Sequence, residues 1–388
     1  MSDKNNKALK PGWRRVKFGD VVRLSKARSQ DPLGDGIERY VGLEHLEPGD
    51  LRIRSWGSVA DGVTFTSVFQ PGQVLFGKRR AYQRKVAVAD FSGVCSGDIY
   101  VLETKNAQVL LPELLPFICQ TDAFFDHAVG TSAGSLSPRT NWTSLADFEF
   151  VLPPSNEQSR LVTTLVAQTD VIEAKQEVRI ALEKCLKSTR AQILSEGLLG
   201  KIDETTGLPV GWSREPLGNL VEFLDHKRVP IKEADRSKRR GQYPYYGASG
   251  VIDSIDDYLF DEDLILVGED GANVLDRSSP LAFKVSGKIW VNNHAHVLRV
   301  LAPNDIDYLA DYLESITYKP YVTGTAQPKL NKAALNSVPV PVPPGEEQLQ
   351  IAAVYAQFLE GKDMLARELK SLRDLYRLTL AGVGEANV

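Results

Sequence analysis

Residues 12–152 alternate short Val/Ile/Phe/Tyr runs with Gly, Pro and Asp punctuation, the pattern of a mixed sheet with few helices. Val74-Leu75-Phe76, Lys85-Val86-Ala87-Val88 and Ile99-Tyr100-Val101-Leu102 predict strands, and Leu111 to Phe125 predicts a helix interrupted early by Pro112 and Pro116. Residues 209–342 repeat the scheme, with strands at Leu264–Val267 and Val297–Val300 and a helix from Asp305 to Thr317. The pattern then changes abruptly in each half. From Ser155 to about Leu199 there is no proline, and apolar residues recur at spacings of three and four: Leu161, Leu165, Ile172, Val178, Leu182, Cys185, Ile193. Ser155 followed by Gln158 predicts a capping box. A second such stretch starts at Gly345 and runs through Ile351, Val354, Phe358, Leu365, Leu369, Leu372 and Tyr376. Each predicts a helix of roughly 35–40 residues, on the order of 55–60 Å long.

These regularities form a duplication. Gly12-Trp13 returns as Gly211-Trp212, Leu75-Phe76-Gly77 as Leu266-Val267-Gly268, Gly130-Thr131 and Leu136 as Gly324-Thr325 and Leu330, and Pro153-Pro154-x-x-Glu157-Gln158 as Pro343-Pro344-x-x-Glu347-Gln348. The order is the same in both halves, and the period is far longer than the roughly 20–50 residues of a solenoid unit. The organisation expected is a first domain over residues 1–154, a spacer helix over 155–204, a second domain over 205–344 and a second spacer helix over 345–388. Long apolar stripes must bury against something. Each helix could fold back on its own domain, but two equal copies favour an antiparallel coiled coil that holds the domains apart. The fold class expected is α+β: two similar mixed α/β domains, two long helices, a pseudo-two-fold molecule.

With 46 Lys+Arg against 50 Asp+Glu, the chain is mildly acidic, so nucleic-acid binding by overall charge is excluded and local patches or a basic partner are needed. No apolar run approaches a membrane span. The start of the sequence lacks a signal-peptide core, and Cys95, Cys119 and Cys185 fit neither a disulfide framework nor a zinc knuckle. The location expected is cytoplasmic, with no membrane partner.

The densest basic cluster is Lys78-Arg79-Arg80-Ala81-Tyr82-Gln83-Arg84-Lys85, between two predicted strands. Arg suits the guanine edge and Gln the adenine edge, although such a run can also be a solvated surface. In the second half Lys227-Arg228 and Lys238-Arg239-Arg240 precede Tyr243-Pro244-Tyr245-Tyr246-Gly247. The stretch from Asp253 to Asp276 holds nine acids and no cation, which separates the two signs if the acidic hairpin lies at the back of the domain. Tyr245 and Tyr246 could pack on nucleic acid or belong to the core. Asn292-Asn293-His294-Ala295-His296 suggests a structural or base-reading cluster more than a metal site, because no further His or Cys group accompanies it. Catalytic signatures are missing. Leu152-Pro153-Pro154-Ser155 and Val342-Pro343-Pro344-Gly345 lack the polar and aromatic flanks of an amino-methyltransferase motif, and Gly197-Leu198-Leu199-Gly200-Lys201 misses phosphate-loop spacing.

The two Gly-Trp starts, the Leu75-Phe76-Gly77-Lys78-Arg79 to Val94-Cys95-Ser96 stretch, Tyr243-Pro244-Tyr245-Tyr246-Gly247-Ala248 and the paired Pro-Pro-x-x-Glu-Gln helix starts together resemble the specificity (S) subunit of type I restriction–modification systems. The resemblance implies a non-enzymatic subunit that reads a split target in double-stranded DNA, with two target-recognition domains and helices that fix the gap. It implies two methyltransferase (M) partners that carry S-adenosylmethionine and modify adenine N6. It also allows two restriction (R) partners that use ATP and Mg, and leaves this chain without a cofactor of its own. The DNA-contacting residues expected are Lys78, Arg79, Arg80, Tyr82, Gln83, Arg84, Lys85, Lys227, Arg228, Lys238, Arg239, Arg240, Tyr245, Tyr246, Asn292, Asn293 and His294.

Overall fold

The computed structural model describes residues 9–324 and 328–383; Thr325, part of one sequence match, lies outside them. The chain divides into two compact units, Met1–Glu177 with Ala366–Val388, and Val178–Leu365. Both are α+β, as the sequence pattern predicts.

The first unit contains strands β1 (Arg14–Lys17), β2 (Val22–Leu24), β3 (Arg39–Val41), β4 (Gly57–Ser58), β5 (Ser67–Phe69), β6 (Val74–Gly77), β7 (Val86–Val88), β8 (Gly93–Cys95), β9 (Ile99–Thr104) and β10 (Glu149–Leu152). They form a β1-β10 ribbon and two four-stranded sheets, β2-β9-β6-β7 and β4-β3-β8-β5. The second unit contains β11 (Ser213–Pro216), β12 (Val221–Phe223), β13 (Arg240–Gly247), β14 (Gly250–Ile255), β15 (Phe260–Asp261), β16 (Leu264–Gly268), β17 (Ala282–Val285), β18 (Lys288–Val291), β19 (Ala295–Val300) and β20 (Pro339–Val342). Its sheets repeat the same orders: β11-β20, β12-β19-β16-β17 and β14-β13-β18-β15. The duplication read in sequence is a duplication of topology, strand for strand.

In the β2-β9-β6-β7 and β12-β19-β16-β17 sheets one inner strand is a wholly buried run, Val74-Leu75-Phe76-Gly77 in β6 and Leu264-Ile265-Leu266-Val267-Gly268 in β16. Each ends in glycine because another segment crosses there. A Cβ on Gly77 would lie 2.9 Å from the Leu43 side chain, and one on Gly268 2.7 Å from the Ala248 carbonyl. The Leu111–Phe125 region is broken, with a 3-10 turn at Pro112–Leu114, a helical turn at Leu115–Ile118 and a helix at Asp122–Gly130 capped by Thr121. The helix expected at Asp305–Thr317 spans Ile306–Ser315, with Asp305 as its N-cap.

The long helices are Ser155–Glu196 and Gly345–Ala381. Within the first unit Gln168 Nε2 donates to Thr379 Oγ1 at 3.1 Å and Lys175 pairs with Glu368, so the helices run antiparallel. Within the second unit Leu182 approaches Gly361 and Arg190 lies 5.3 Å from the Tyr355 ring centre, again antiparallel. Leu161, Val162, Leu165, Tyr376 and Leu380 pack on the first unit's core, while Leu186, Ile193, Ile351, Tyr355 and Phe358 pack on the second's. Full burial of Leu165 alone contributes about 1.5–3 kcal/mol. The expected stripe slips midway: Val178 and Cys185 are exposed, and Leu186 turns inward instead. That change of face falls just past residue 177, where the helix leaves one core for the other.

The capping box is not formed. Pro154 caps the helix by accepting from the Glu157 and Gln158 amides, which frees the Gln158 side chain to turn inward. That residue is only 2% exposed; its Nε2 donates to the Pro153 and Val109 carbonyls at 2.9 Å and its Oε1 accepts from Leu111 N at 2.9 Å. Gln348 is its counterpart, donating to Pro343 O at 2.9 Å and accepting from Asp305 N at 2.7 Å. The repeated Gln thus clamps each helix start to its own domain. Gln348→Ala should destabilise the second unit by about 1–3 kcal/mol, since it orphans buried backbone groups; thermal melting of the variant against the parent measures this.

Candidate nucleic-acid interface

Both units carry the same two-loop rim. In the first, the loop after β6 (residues 78–85) lies beside the loop 131–140. Lys78 N donates to Asp98 O at 3.0 Å, Arg80 N to Pro138 O at 2.7 Å and Thr140 N to Lys78 O at 3.1 Å. In the second, Glu269 N donates to His294 O at 2.8 Å, Gly271 N to Pro328 O at 3.3 Å and Leu330 N to Glu269 O at 2.8 Å. Bridges Arg79↔Arg139 and Ala133↔Arg139 match Asp270↔Lys329 and Thr323↔Lys329. Backbone register therefore corrects one sequence match. Gly324 corresponds to Gly134, both at positive φ, rather than to Gly130, and Leu330 corresponds to Thr140 rather than to Leu136.

The basic loop is held under strain. Arg80 and Arg84, at φ 53° and 54°, flank the short turn Ala81–Gln83 in the left-handed region, where a non-glycine residue costs about 1–2 kcal/mol. Gly271 occupies the position of Arg80 in the second unit, also at positive φ. An arginine in that conformation carries a steric cost that glycine would not. Arg79 pairs with Asp98 at 3.1 Å and donates to Ser137 Oγ at 3.0 Å, while Arg139 holds the other carboxylate oxygen at 2.7 Å. Burial pushes the Asp98 carboxyl up, but the Arg139 and Arg79 hydrogen bonds outweigh it and hold the group below its ordinary value. Asp98 stays ionised and fixes both guanidinium groups. Among the described residues, Nε of Arg79 and of Arg80 is buried without a hydrogen-bond partner. Tyr82 is 56% exposed at the loop tip and Leu136 89% exposed on the neighbouring loop.

The other members of the cluster divide. Gln83 is half-buried beside Tyr82, and Lys78 lies 4.6 Å from the Tyr100 ring centre. Arg84 is occupied by Asp122 at 2.6 Å, the Gln120 carbonyl and the Phe125 ring; Lys85 donates to Leu43 O at 2.7 Å. Those two brace the loop rather than face outward.

In the second unit the expected separation of charge does not occur. The β13–β14 hairpin folds the acidic stretch back on the basic one, so Arg236 pairs with Asp253 at 3.0 Å and Arg239 with Asp256 at 2.9 Å, while Arg239 also lies over Trp290. Lys238 meets Asp235 at 3.4 Å; Lys227 and Arg240 are exposed. Arg228 is turned inward, paired with Glu269 at 2.8 Å and donating to Ala295 O. Tyr245 is a core residue, 1% exposed, whose hydroxyl accepts from Ile231 N, and Tyr246 is half-buried against Phe283. Asn292 is buried and caps His294 N, whereas Asn293 and His294 are exposed.

His296 is structural: its Nδ1 faces Asp225 at 2.7 Å and its Nε2 the Leu330 carbonyl at 2.8 Å, in a 1% exposed position. Burial pushes the Asp225 carboxyl up, but the His296 hydrogen bond and charge outweigh it and keep it below its ordinary value. No group of three His, Cys, Asp or Glu residues suited to a metal ion occurs among the described residues. The sequence reading missed Asp98, Ser137, Arg139, Asp270 and Lys329; carrying the Leu-x-Gly repeat a few residues further in both halves would have aligned Lys78-Arg79-Arg80 with Glu269-Asp270-Gly271.

Residues 209–372, which include the whole second rim, match the family described as type I restriction modification DNA specificity domain. The chain is similar to type I specificity subunits. It is 32% identical over 148 residues to a putative type I restriction enzyme specificity subunit of Haemophilus influenzae, an alignment covering 38% of this chain and 37% of that protein. To the EcoDI specificity subunit of Escherichia coli it is 30% identical over 203 residues, covering 49% of this chain and 42% of the relative. The alignments thus span less than half of each relative's length. The fold agrees over a longer span. The S subunit of a type I restriction–modification system from M. genitalium superposes with a TM-score of 0.66 at 16% identity over 99% of both chains. A chain from a study of assembly and conformational transition of the type I R-M system gives 0.59 at 18% identity, covering 97% of this chain and 98% of that one.

Proposed function

We propose that this chain is the DNA-specificity subunit of a type I restriction–modification complex. It reads the two halves of a bipartite target with its two units and performs no chemistry itself. The observation that carries this reading is the paired rim: one loop architecture built twice, each copy presenting different exposed side chains. Base edges are read by such side chains, while phosphate contacts position the protein. Two methyltransferase partners supply S-adenosylmethionine and flip the adenine whose N6 is modified, as chemistry on a base requires. Restriction partners using ATP and Mg cut unmodified DNA in the cytoplasm. The mild net acidity is compatible with this role, because partners that close on the duplex bring their own phosphate contacts.

The test is modified-base sequencing of DNA from cells with and without this chain, its methyltransferase partner present in both. A split motif carrying N6-methyladenine only when the chain is present is the expected result; identical methylation in both, with the partner active alongside another specificity chain, would overturn the proposal. The antiparallel helices are proposed to set the gap. One heptad inserted into the first long helix alone should change the unmethylated gap or abolish methylation, and an unchanged gap at full activity would disprove it.

A further inference from the structure

The two rims are equivalent in backbone and opposite in charge. By hydrogen-bond register, Lys78 corresponds to Glu269, Arg79 to Asp270 and Asp98 to His294, with Arg139 and Lys329 keeping the same sign. The side-chain contact at the centre of each rim is preserved with the carboxylate moved to the other position: Arg79 pairs with Asp98 at 3.1 Å in the first unit, and His294 Nδ1 lies 2.9 Å from the Asp270 carboxylate in the second. The inner carboxylate, Glu269, is 12% exposed and already held by Arg228 and Lys329. Asp270 and His294, at 34% and 50%, are the groups that remain open at the surface, as Arg79 and Arg139 are at 36% and 48%.

Resting on the DNA-reading function proposed above, we infer that the rims read base edges of opposite hydrogen-bond polarity. The first unit donates from the Arg79 and Arg80 guanidinium groups to the O6 and N7 acceptors of guanine. The second accepts, through the Asp270 carboxylate positioned by His294, from an exocyclic amino group in the major groove, cytosine N4 or adenine N6. The carboxylate is tolerable near phosphates because Arg228 and Lys329, the latter 53% exposed, together neutralise the neighbouring Glu269. This assigns specificity in the second unit to Asp270: of the basic residues at 227–240, Arg228 is turned inward on Glu269, Arg239 is held by Asp256 and Trp290, and the exposed Lys227, Lys238 and Arg240 are left to phosphate contacts.

The experiment combines variants with base analogues, using the full chain with its methyltransferase partner. Methylated motifs from Asp270→Ala, the near-isosteric Asp270→Asn and Arg79→Ala are compared with the parent. The Asp270 variants should each relax one position in one half-site, and Arg79→Ala one position in the other. At the position relaxed by Asp270→Ala, replacing the base by its analogue without the amino group (2-pyrimidinone for cytosine, purine for adenine) should weaken parent binding about 10-fold or more and change variant binding little. At the other, 7-deazaguanine should do the same for the parent against Arg79→Ala. Asp270→Asn guards against misfolding, since its melting curve should match the parent's. An unchanged motif in both Asp270 variants, or full parent affinity for the amino-free analogue, overturns the inference while leaving the DNA-reading function standing. A parent that yields no chain-dependent motif removes the function, and the inference with it.

Discussion

Asp311→Ala should destabilise the second unit by about 3–5 kcal/mol, lowering its melting temperature by roughly 6–20 °C. Asp311, on the helix Ile306–Ser315, accepts a bidentate pair from Arg190 of the first long helix, with Nε to Oδ2 at 2.8 Å. Side-chain exposure is only 8% for Asp311 and 18% for Arg190, and the guanidinium also lies over the Tyr355 ring. Removing one partner strands the other charge in a place with little water, and that stranding is most of the cost. The control is the double variant Arg190→Met with Asp311→Leu, which fills similar volume without charge and should recover most of the loss. Differential scanning calorimetry separates the outcomes: equal destabilisation by the single and double variants would mean that shape, and not the unpaired charge, governs this contact.

Arg80→Gly should leave the fold at least as stable as before while removing about 1–3 kcal/mol of discrimination at one base pair. The backbone at Arg80 is left-handed, a conformation glycine adopts without steric cost and one Gly271 holds in the equivalent place. Relief of about 1–2 kcal/mol of strain is offset in part by the greater chain entropy of unfolded glycine. A structural arginine would behave otherwise, since its loss would lower stability and leave target choice intact. Thermal melting together with methylation-motif sequencing of the same variant reads both sides of the comparison.

Local pattern made much of this molecule legible. The buried runs at β6 and β16, the Leu-x-Gly endings and the two proline-free stretches announce themselves because strand and helix periods are properties of neighbouring residues. The basic loop at 78–85 was visible for the same reason. Relations between distant residues were hidden. Nothing in the run 225–240 shows that a hairpin brings Asp253 and Asp256 onto Arg236 and Arg239, nor that Arg228 turns inward to Glu269. Ser155 and Gln158 satisfy a capping pattern, yet Pro154 takes the cap and the glutamine is used across 47 residues on Leu111 N. The rim of the second unit escaped because its charge is inverted, and similarity of residue type was the guide to equivalence.

The interleaving of the long helices with the two units bears on the order in which the protein can be made. Tyr376, Leu380 and Val383 complete the core of the first unit, and the Tyr376 hydroxyl donates to Gln120 at 2.6 Å. A ribosome adding about 5–20 residues per second exposes the first 177 residues at least 10 seconds or so before those partners emerge. The second unit, by contrast, is an uninterrupted stretch of chain, Val178–Leu365. The core of the earlier-synthesised unit therefore cannot be completed until the second long helix has been made. A stop codon near residue 366 would leave the second unit whole and cripple the first.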